Sequence, residues 1–263
     1  MQKPKLAAQR LFDAHRRRES FAPLPAELAP RTAEEAYAIQ DSFVALRAEK
    51  LGAIAGYKIA LSSKEMQKFV GVNEPQAGVM LESTLRRTPA RLRAMDYVHL
   101  IVEFEIAVQM AADLPAADAP YSRGSVAPFV QAVMPAIEIA DDRNADYTQL
   151  ARHPFELIAD NGWNEGAVLG MPVTKWRNLD LGAVRGVATI NGKVVGEGVG
   201  AAALGHPLDA LAWIANHLAA HSRGLVFRDV VITGSIITTK TVQPGDLVKF
   251  SVAGLGEVEL RVD

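Results

Sequence analysis

Val102-Glu-Phe-Glu-Ile-Ala-Val108 alternates two glutamates with apolar residues. The apolar positions around them (Ile101, Val102, Phe104, Ile106 and Val108) fall on both parities. A period of two belongs to a β-strand, and apolar residues on both faces mark a strand that is largely buried. Glu103 and Glu105 then share one face, with Cα atoms about 7 Å apart. Two like charges on a buried face are costly unless one carboxyl takes up a proton or a cation lies between them. Glu138, within Val133-Met-Pro-Ala-Ile-Glu-Ile-Ala140, has the same setting. Three carboxylates converging from apolar strands suit a hard, oxygen-preferring divalent ion, Mg2+ or Mn2+. A solvent-facing strand of alternating glutamates is the other reading. Spacing does not by itself bring Glu138 to the other two.

Strand signals continue outward from this stretch. Tyr97–Met110 and Phe129–Ala140 are strand-like, and Asn191-Gly192 between apolar alternations predicts a type I′ hairpin. Val230–Thr239, Asp246–Val252 and Glu257–Val262 read as strands separated by Pro244-Gly245-Asp246 and Gly254–Gly256. Helical spacing dominates the other end. Leu6, Ala7, Leu11 and Phe12 predict a helix closed by Arg16–Arg18. Thr32-Ala-Glu-Glu35 is a capping box opening a helix to about Lys50, with Ala36, Ile39, Phe43 and Leu46 on one face and Gly52 at its end. A later helix is predicted over Leu208–Ser222. The expected fold class is α+β: a helical N-terminal region over residues 1–85 and a mostly β catalytic body over 86–263.

Composition removes several function classes. The chain has 263 residues, 49% of them hydrophobic, which is enough for a large core. Its 28 Lys+Arg against 30 Asp+Glu provide no basic field for nucleic acid. There is no cysteine, so disulfides, zinc-thiolate sites and thiol nucleophiles are excluded. Met1–Arg10 lacks the apolar core of a secretory signal, and no run of about 18 apolar residues predicts a membrane span. A cytoplasmic protein without nucleic-acid or membrane partners is expected. Gly-x-Ser-x-Gly, phosphate-cradling and Gly-x-Gly-x-x-Gly patterns are missing, which weighs against serine hydrolases and nucleotide enzymes.

Other residues carry two readings each. Lys58 in Gly56-Tyr-Lys-Ile-Ala-Leu61 is flanked by apolar residues. Burial would lower its pKa and suit it to proton transfer, whereas on an edge strand its head would reach water. Ser62-Ser-Lys-Glu65 reads as a helix N-cap, an end that also attracts carboxylates. Asp160-Asn161-Gly162 reads as a turn, Arg143 as half of a surface ion pair, and His206 as structural.

A set of segments in order along the chain then points to a family. Gly56–Ser63, Gly71-Val-Asn-Glu-Pro75 with Gly78, Val102–Ala107, Pro135–Ile139, Ala159-Asp-Asn161, Leu204-Gly-His-Pro207 and Thr233-Gly-Ser235 resemble the 2-keto-4-pentenoate hydratase / 2-oxo-3-hexenedioate (4-oxalocrotonate) decarboxylase group of the fumarylacetoacetate hydrolase superfamily. The resemblance runs from about Thr32 to the C-terminus. It implies a mixed, mostly β body and a divalent metal, Mg2+ or Mn2+, on Glu103, Glu105 and Glu138. It also implies an acid/base lysine at Lys58, and pocket positions at Ser62, Ser63, Gln76, Asp160, Asn161 and Ser235. The activity it implies is that of a metal-dependent lyase on small 2-oxo or 2-hydroxydienoic acids. A hydratase of a 2-hydroxypenta-2,4-dienoate-like substrate comes first and 2-oxo-3-hexenedioate decarboxylase second. A β-diketo-acid C–C hydrolase and a non-catalytic homologue follow. A homo-oligomer is implied as well. Gln76 stands where hydratases of the group usually carry an acid, a departure that shifts weight towards decarboxylation. Trp163 replaces a usually small residue, which narrows the pocket. No histidine lies between His15 and His99, against the histidine–glutamate pair of the hydrolases.

Overall fold

The computed structural model describes residues 3–263, and in it the alternation at Val102–Val108 is the middle of an 11-residue strand. The α-helices are α1 (Lys3–Arg17), α2 (Ala33–Leu51), α3 (Lys64–Val70), α4 (Arg123–Val126), α5 (Glu156–Ala159) and α6 (Pro207–Ala220). The strands are β1 (Ile54–Ala60), β2 (Gln76–Leu81), β3 (Leu85–Arg87), β4 (Ala90–Leu92), β5 (Leu100–Met110), β6 (Val130–Asp141), β7 (Asn164–Leu169), β8 (Arg185–Ile190), β9 (Lys193–Val199), β10 (Val230–Thr241), β11 (Leu247–Val252) and β12 (Gly256–Val262). No helix among the described residues is long and apolar enough to cross a membrane.

Local chemistry sets the element ends. Thr32 accepts from Glu35 N at 3.2 Å to open α2. His206 accepts from Leu208 N at 3.0 Å ahead of Pro207, the first residue of α6. Asn191 and Gly192, both at positive φ, turn β8 into β9.

A seven-stranded sheet runs β2-β1-β10-β5-β6-β7-β3, and a five-stranded sheet runs β4-β12-β11-β8-β9. Within the larger sheet β1 is parallel to β10 and β3 to β7, while the other pairings are antiparallel. β2 and β7 stand far apart in the strand order yet touch, so the sheet curls on itself. The outer face of β5 (Val102, Phe104, Ile106 and Val108) packs with the smaller sheet, where the Phe104 and Phe250 rings lie 5.4 Å apart. Burial of each such side chain stabilises by about 1.5–3 kcal/mol. The opposite face lines the inside of the curl. α1 and α2 pair through Ala7, Ala8, Leu11, Ala36, Ile39 and Phe43, and α5 joins them with Ile158 and Ala159.

The fold is the expected mixed α+β, but residue 85 is not a boundary. β1 and β2 lie before it and are strands of the large sheet. Gly56–Leu61 is short and, Lys58 apart, without charge, so periodicity alone could not separate a buried strand from a helical segment. Its partner β10 follows some 170 residues later in sequence, and that pairing is a tertiary fact.

Candidate active site

Period-two geometry puts Glu103 and Glu105 on the inner face of β5, and strand register does the rest. Glu103 stands directly opposite Glu138 on β6, and Glu105 opposite Ala136. One oxygen from each of the three carboxylates lies within 4.8 Å of the others. Glu105 and Glu138 are fully buried. Residues on the same face bracket them along the strands. Ala107, Met134 and Ala136 belong to an apolar cluster on one side, Ile101 and Ala140 to another on the opposite side.

Each carboxylate has a fixed donor. Thr239 Oγ1 donates to Glu103 Oε1 at 2.9 Å, Gly234 N to Glu105 Oε2 at 2.6 Å, and Asn164 Nδ2 to Glu138 Oε1 at 2.8 Å. Glu105 Oε1 and Glu138 Oε2 are buried with no partner at all. Burial, and then the charge of Glu138, pushes the carboxyls of Glu103 and Glu105 above the usual range, Glu105 well above it. Two unpaired buried oxygens amid three convergent carboxylates form a set of hard donors, and they fit a divalent cation such as Mg2+ or Mn2+.

Lys58 on β1 completes the centre. It is 3% exposed, with Nζ 3.0 Å from Glu138 Oε1 and donating to the Gly162 carbonyl at 3.3 Å. Burial pulls its pKa down, but Glu138, Glu103 and Glu105 outweigh that and hold it above the ordinary lysine value. The direction is opposite to the one local sequence suggests, because the three carboxylates reach Lys58 only through the sheet. Gly78, opposite Lys58 on β2, has no room for a side chain: a Cβ there would lie 2.7 Å from Lys58 Cγ.

The turn Asp160-Asn161-Gly162 closes over this lysine. Asn161, Gly162 and Trp163 all have φ between 54 and 59°, a left-handed run that is costly for a tryptophan. Two sets of bonds hold it. Asn161 Oδ1 accepts from Val79 N at 2.7 Å and Nδ2 donates to Val79 O at 2.9 Å. Asp160 is buried between His15 Nε2, at 2.6 Å, and the Arg143 guanidinium. His15 Nδ1 also reaches Glu165 at 3.3 Å, and Glu165 is gripped by Arg47 through both carboxylate oxygens. The Asp160 and Asn161 side chains therefore fasten the loop, and its backbone faces Lys58.

The remaining expected pocket residues differ in what their side chains do. Ser62 is buried against Gly234. Ser63, rather than Ser62, is the N-cap of α3 and accepts from Met66 N at 3.2 Å. Gln76 is 3% exposed; its Nε2 donates to Pro154 O at 3.1 Å and its Oε1 has no partner. The Ser235 hydroxyl is spent inside β10, donating to Ile237 O and accepting from Phe104 N. Arg143 corrects the surface-pair expectation: it is 2% exposed, because the chain turns inward at Asp141–Arg143 and Asp160 waits there. His206 caps α6, a structural role.

Four side chains that matter had no sequence signal pointing to the site. His15 lies on the first helix, 145 residues from Asp160. Asn164 and Thr239 look like ordinary polar strand residues. Tyr147 donates to Asp142 at 2.9 Å and borders Trp163, with ring centroids 5.8 Å apart.

Comparison with known proteins adds an independent line. The family model described as Fumarylacetoacetate (FAA) hydrolase C-terminal matches residues 47–263. The chain is 30% identical over 259 residues to the 2-oxo-hept-4-ene-1,7-dioate hydratase of Escherichia coli, covering 97% of this chain and 96% of that one. It is 32% identical over 254 residues to the 2-keto-4-pentenoate hydratase of Paraburkholderia phymatum, covering 95% and 94%. Among solved structures, 4-oxalocrotonate decarboxylase from Pseudomonas putida G7, complexed with magnesium and adipate, superposes with a TM-score of 0.90 at 27% identity over 99% of this chain and 97% of that one.

Proposed function

The chain belongs to the fumarylacetoacetate hydrolase family, and from that premise we propose that it is a divalent-metal-dependent lyase of 2-oxo and 2-hydroxydienoic acids, foremost a hydratase of a 2-hydroxypenta-2,4-dienoate-like acid. The observation that carries the reading is the set of three convergent carboxylates, two of them with unpaired buried oxygens, beside a buried lysine. Glu103, Glu105 and Glu138 would hold the ion, and what it supplies when bound is Lewis-acid polarisation of a 2-oxo acid. Lys58 Nζ carries a proton between the substrate's enolic oxygen and its carbon chain. The Glu138 carboxylate and the Gly162 carbonyl fix where that proton sits. The left-handed turn at Asn161–Trp163 and the absence of a side chain at Gly78 keep the lysine extended along the sheet.

Decarboxylation of a 2-oxo-enedioic acid is the second reading, and Gln76 favours it. An amide at that position cannot take a proton from water, and its nitrogen is already committed to Pro154 O. Loss of carbon dioxide from a vinylogous acid needs the same enolate stabilisation and no activated water. The deciding experiment follows the ultraviolet absorbance of 2-hydroxydienoates and of 2-oxo-3-hexenedioate with and without Mg2+, together with carbon dioxide release. Metal-dependent loss of dienoate absorbance without carbon dioxide supports the hydratase, and stoichiometric carbon dioxide supports the decarboxylase. No metal-dependent change on either substrate would sink both.

A further inference from the structure

Lys58 Nζ is held at two points, and one short segment fixes both. The first is the Gly162 carbonyl, at 3.3 Å. The second is Glu138 Oε1, at 3.0 Å, and that same oxygen accepts from Asn164 Nδ2 at 2.8 Å. Residues 160–165 thus carry both an acceptor for the lysine and the donor that orients its carboxylate.

The two ends of this segment meet at one ring. His15 Nε2 lies 2.6 Å from Asp160 Oδ1, and His15 Nδ1 lies 3.3 Å from Glu165 Oε1. Arg143 grips the Asp160 end alone. Arg47 grips the Glu165 end through both carboxylate oxygens and donates to Asn164 O at 3.2 Å. Among the described residues no other side chain bonds to both carboxylates. The ring lies against Phe43, with centroids 5.0 Å apart, and α1 is packed on α2 through Ala7, Ala8 and Leu11. An acceptor at each ring nitrogen calls for a proton on each, so the ring is an imidazolium. A neutral ring has one N–H and must let one of the carboxylates go. Burial opposes the charge, but Asp160 and Glu165 outweigh it and raise the pKa above 6.5. The charged groups facing the ring are those two carboxylates, with Arg143 and Arg47 behind them.

We propose that His15 is a positioning residue for proton transfer: its imidazolium clasps Asp160 to Glu165 and so keeps Gly162 O and Asn164 Nδ2 where they hold Lys58 Nζ beside Glu138. The inference rests on Lys58 being the proton carrier. It adds a residue of α1, a helix that lies ahead of the span matched by the family model. Turnover then falls as His15 loses its proton.

The test is the pH profile of turnover on 2-hydroxydienoates and on 2-oxo-3-hexenedioate at saturating Mg2+. In the unaltered protein kcat should fall about tenfold or more along an alkaline limb above pH 6.5. KM and Mg2+ affinity should stay within about twofold along that limb. His15→Gln keeps a donor for Asp160 and has none for Glu165. It should show the lowered kcat already at neutral pH, with no such limb. His15→Arg offers donors to both carboxylates and does not titrate there, so it should hold kcat within about threefold of the unaltered neutral value across the limb. A histidine with only a structural role would move kcat, KM and Mg2+ affinity together, with no rescue by arginine, and that result overturns this proposal alone. Full activity in His15→Gln, or an alkaline limb that this variant retains, overturns it too. No Mg2+-dependent turnover by the unaltered protein at any pH overturns the metal-centred reading and takes this proposal with it.

Discussion

Two buried charge clusters sit on either side of the Asp160–Trp163 turn, and they are balanced differently. At the candidate metal centre three carboxylates face one ammonium, and Glu105 Oε1 and Glu138 Oε2 have no partner. Behind the turn two carboxylates face three cations, and all four carboxylate oxygens are bonded. At about 4.8 Å and an effective dielectric near 20, each like-charge pair in the first cluster costs on the order of 3 kcal/mol. In the second cluster no carboxylate oxygen is left over, and the orphaned atom is instead a donor, Arg143 Nε. A satisfied network fixes geometry, whereas an unsatisfied one is a site awaiting a counter-charge. The same few residues of turn join the two, so the rigid cluster holds the strained one in register.

The largest effect that separates them is expected at Glu105. Glu105→Gln should lower turnover by about 100-fold or more while leaving the melting temperature of the metal-free protein unchanged or raised, since a repelling charge is removed. Assay at saturating Mg2+ beside calorimetry checks both halves. Full metal-dependent activity in this variant would contradict the assignment. Asp160→Asn should do the reverse. It leaves Arg143 buried without its anion, and His15 with Glu165 alone, and should cost about 3–5 kcal/mol of stability in denaturant titration. A loss of activity without loss of stability there would mean that the two clusters are not distinct in kind.

Mg2+ at about 100 times its dissociation constant should stabilise the protein by about 2.7 kcal/mol. The gain should vanish in Glu105→Gln and survive in Asp160→Asn. The smallest effect is in the pH profile. Burial opposes ionisation of Glu165, but Arg47 and His15 prevail and hold its carboxyl down to about 2. Its contribution is therefore complete above the unfolded value near 4.5 and fades as pH falls towards 2. For His15 burial again opposes the charge, Asp160 and Glu165 outweigh it, and the pKa is raised above 6.5. Its contribution is complete below that value and is lost as pH rises through the folded one. Glu103 and Glu105, raised by burial and by Glu138, cost stability increasingly as pH climbs above 4.5. Metal-free melting temperatures should thus decline from about pH 5 to about pH 8, and Mg2+ should flatten that slope. A flat metal-free profile would show that the carboxylates are not mutually strained.

Much of this architecture was legible in the chain. The N-cap at Thr32, the Asn191-Gly192 turn and the apolar face of α6 (Leu211, Ile214, Ala215 and Leu218) are local signals that the structure follows, although Glu35 closes on Arg31 N rather than on Thr32 N, so the box itself is not formed. Lys58 was legible as a residue but not in its protonation, because the charges that set it lie on β5 and β6. Arg143 was misread because two acidic neighbours look like a surface pair until a third, Asp160, is seen from inside. β2, β3, β4 and β7 were not anticipated, being short or following residues that read as turns.

Period-two alternation by itself determined that Glu103 and Glu105 share a face, and their apolar neighbours pointed to a buried face while leaving a solvent-facing strand open. These are properties of a pleated backbone and need no partner. Sheet register placed Glu138 across from Glu103, and the curl brought Lys58 to them. The packing of α1 sent His15 to Asp160, and the left-handed turn left the Trp163 N–H unpaired. Those are choices among distant segments, made by the summed burial of two sheets and a helix pair, and no window along the chain contains them.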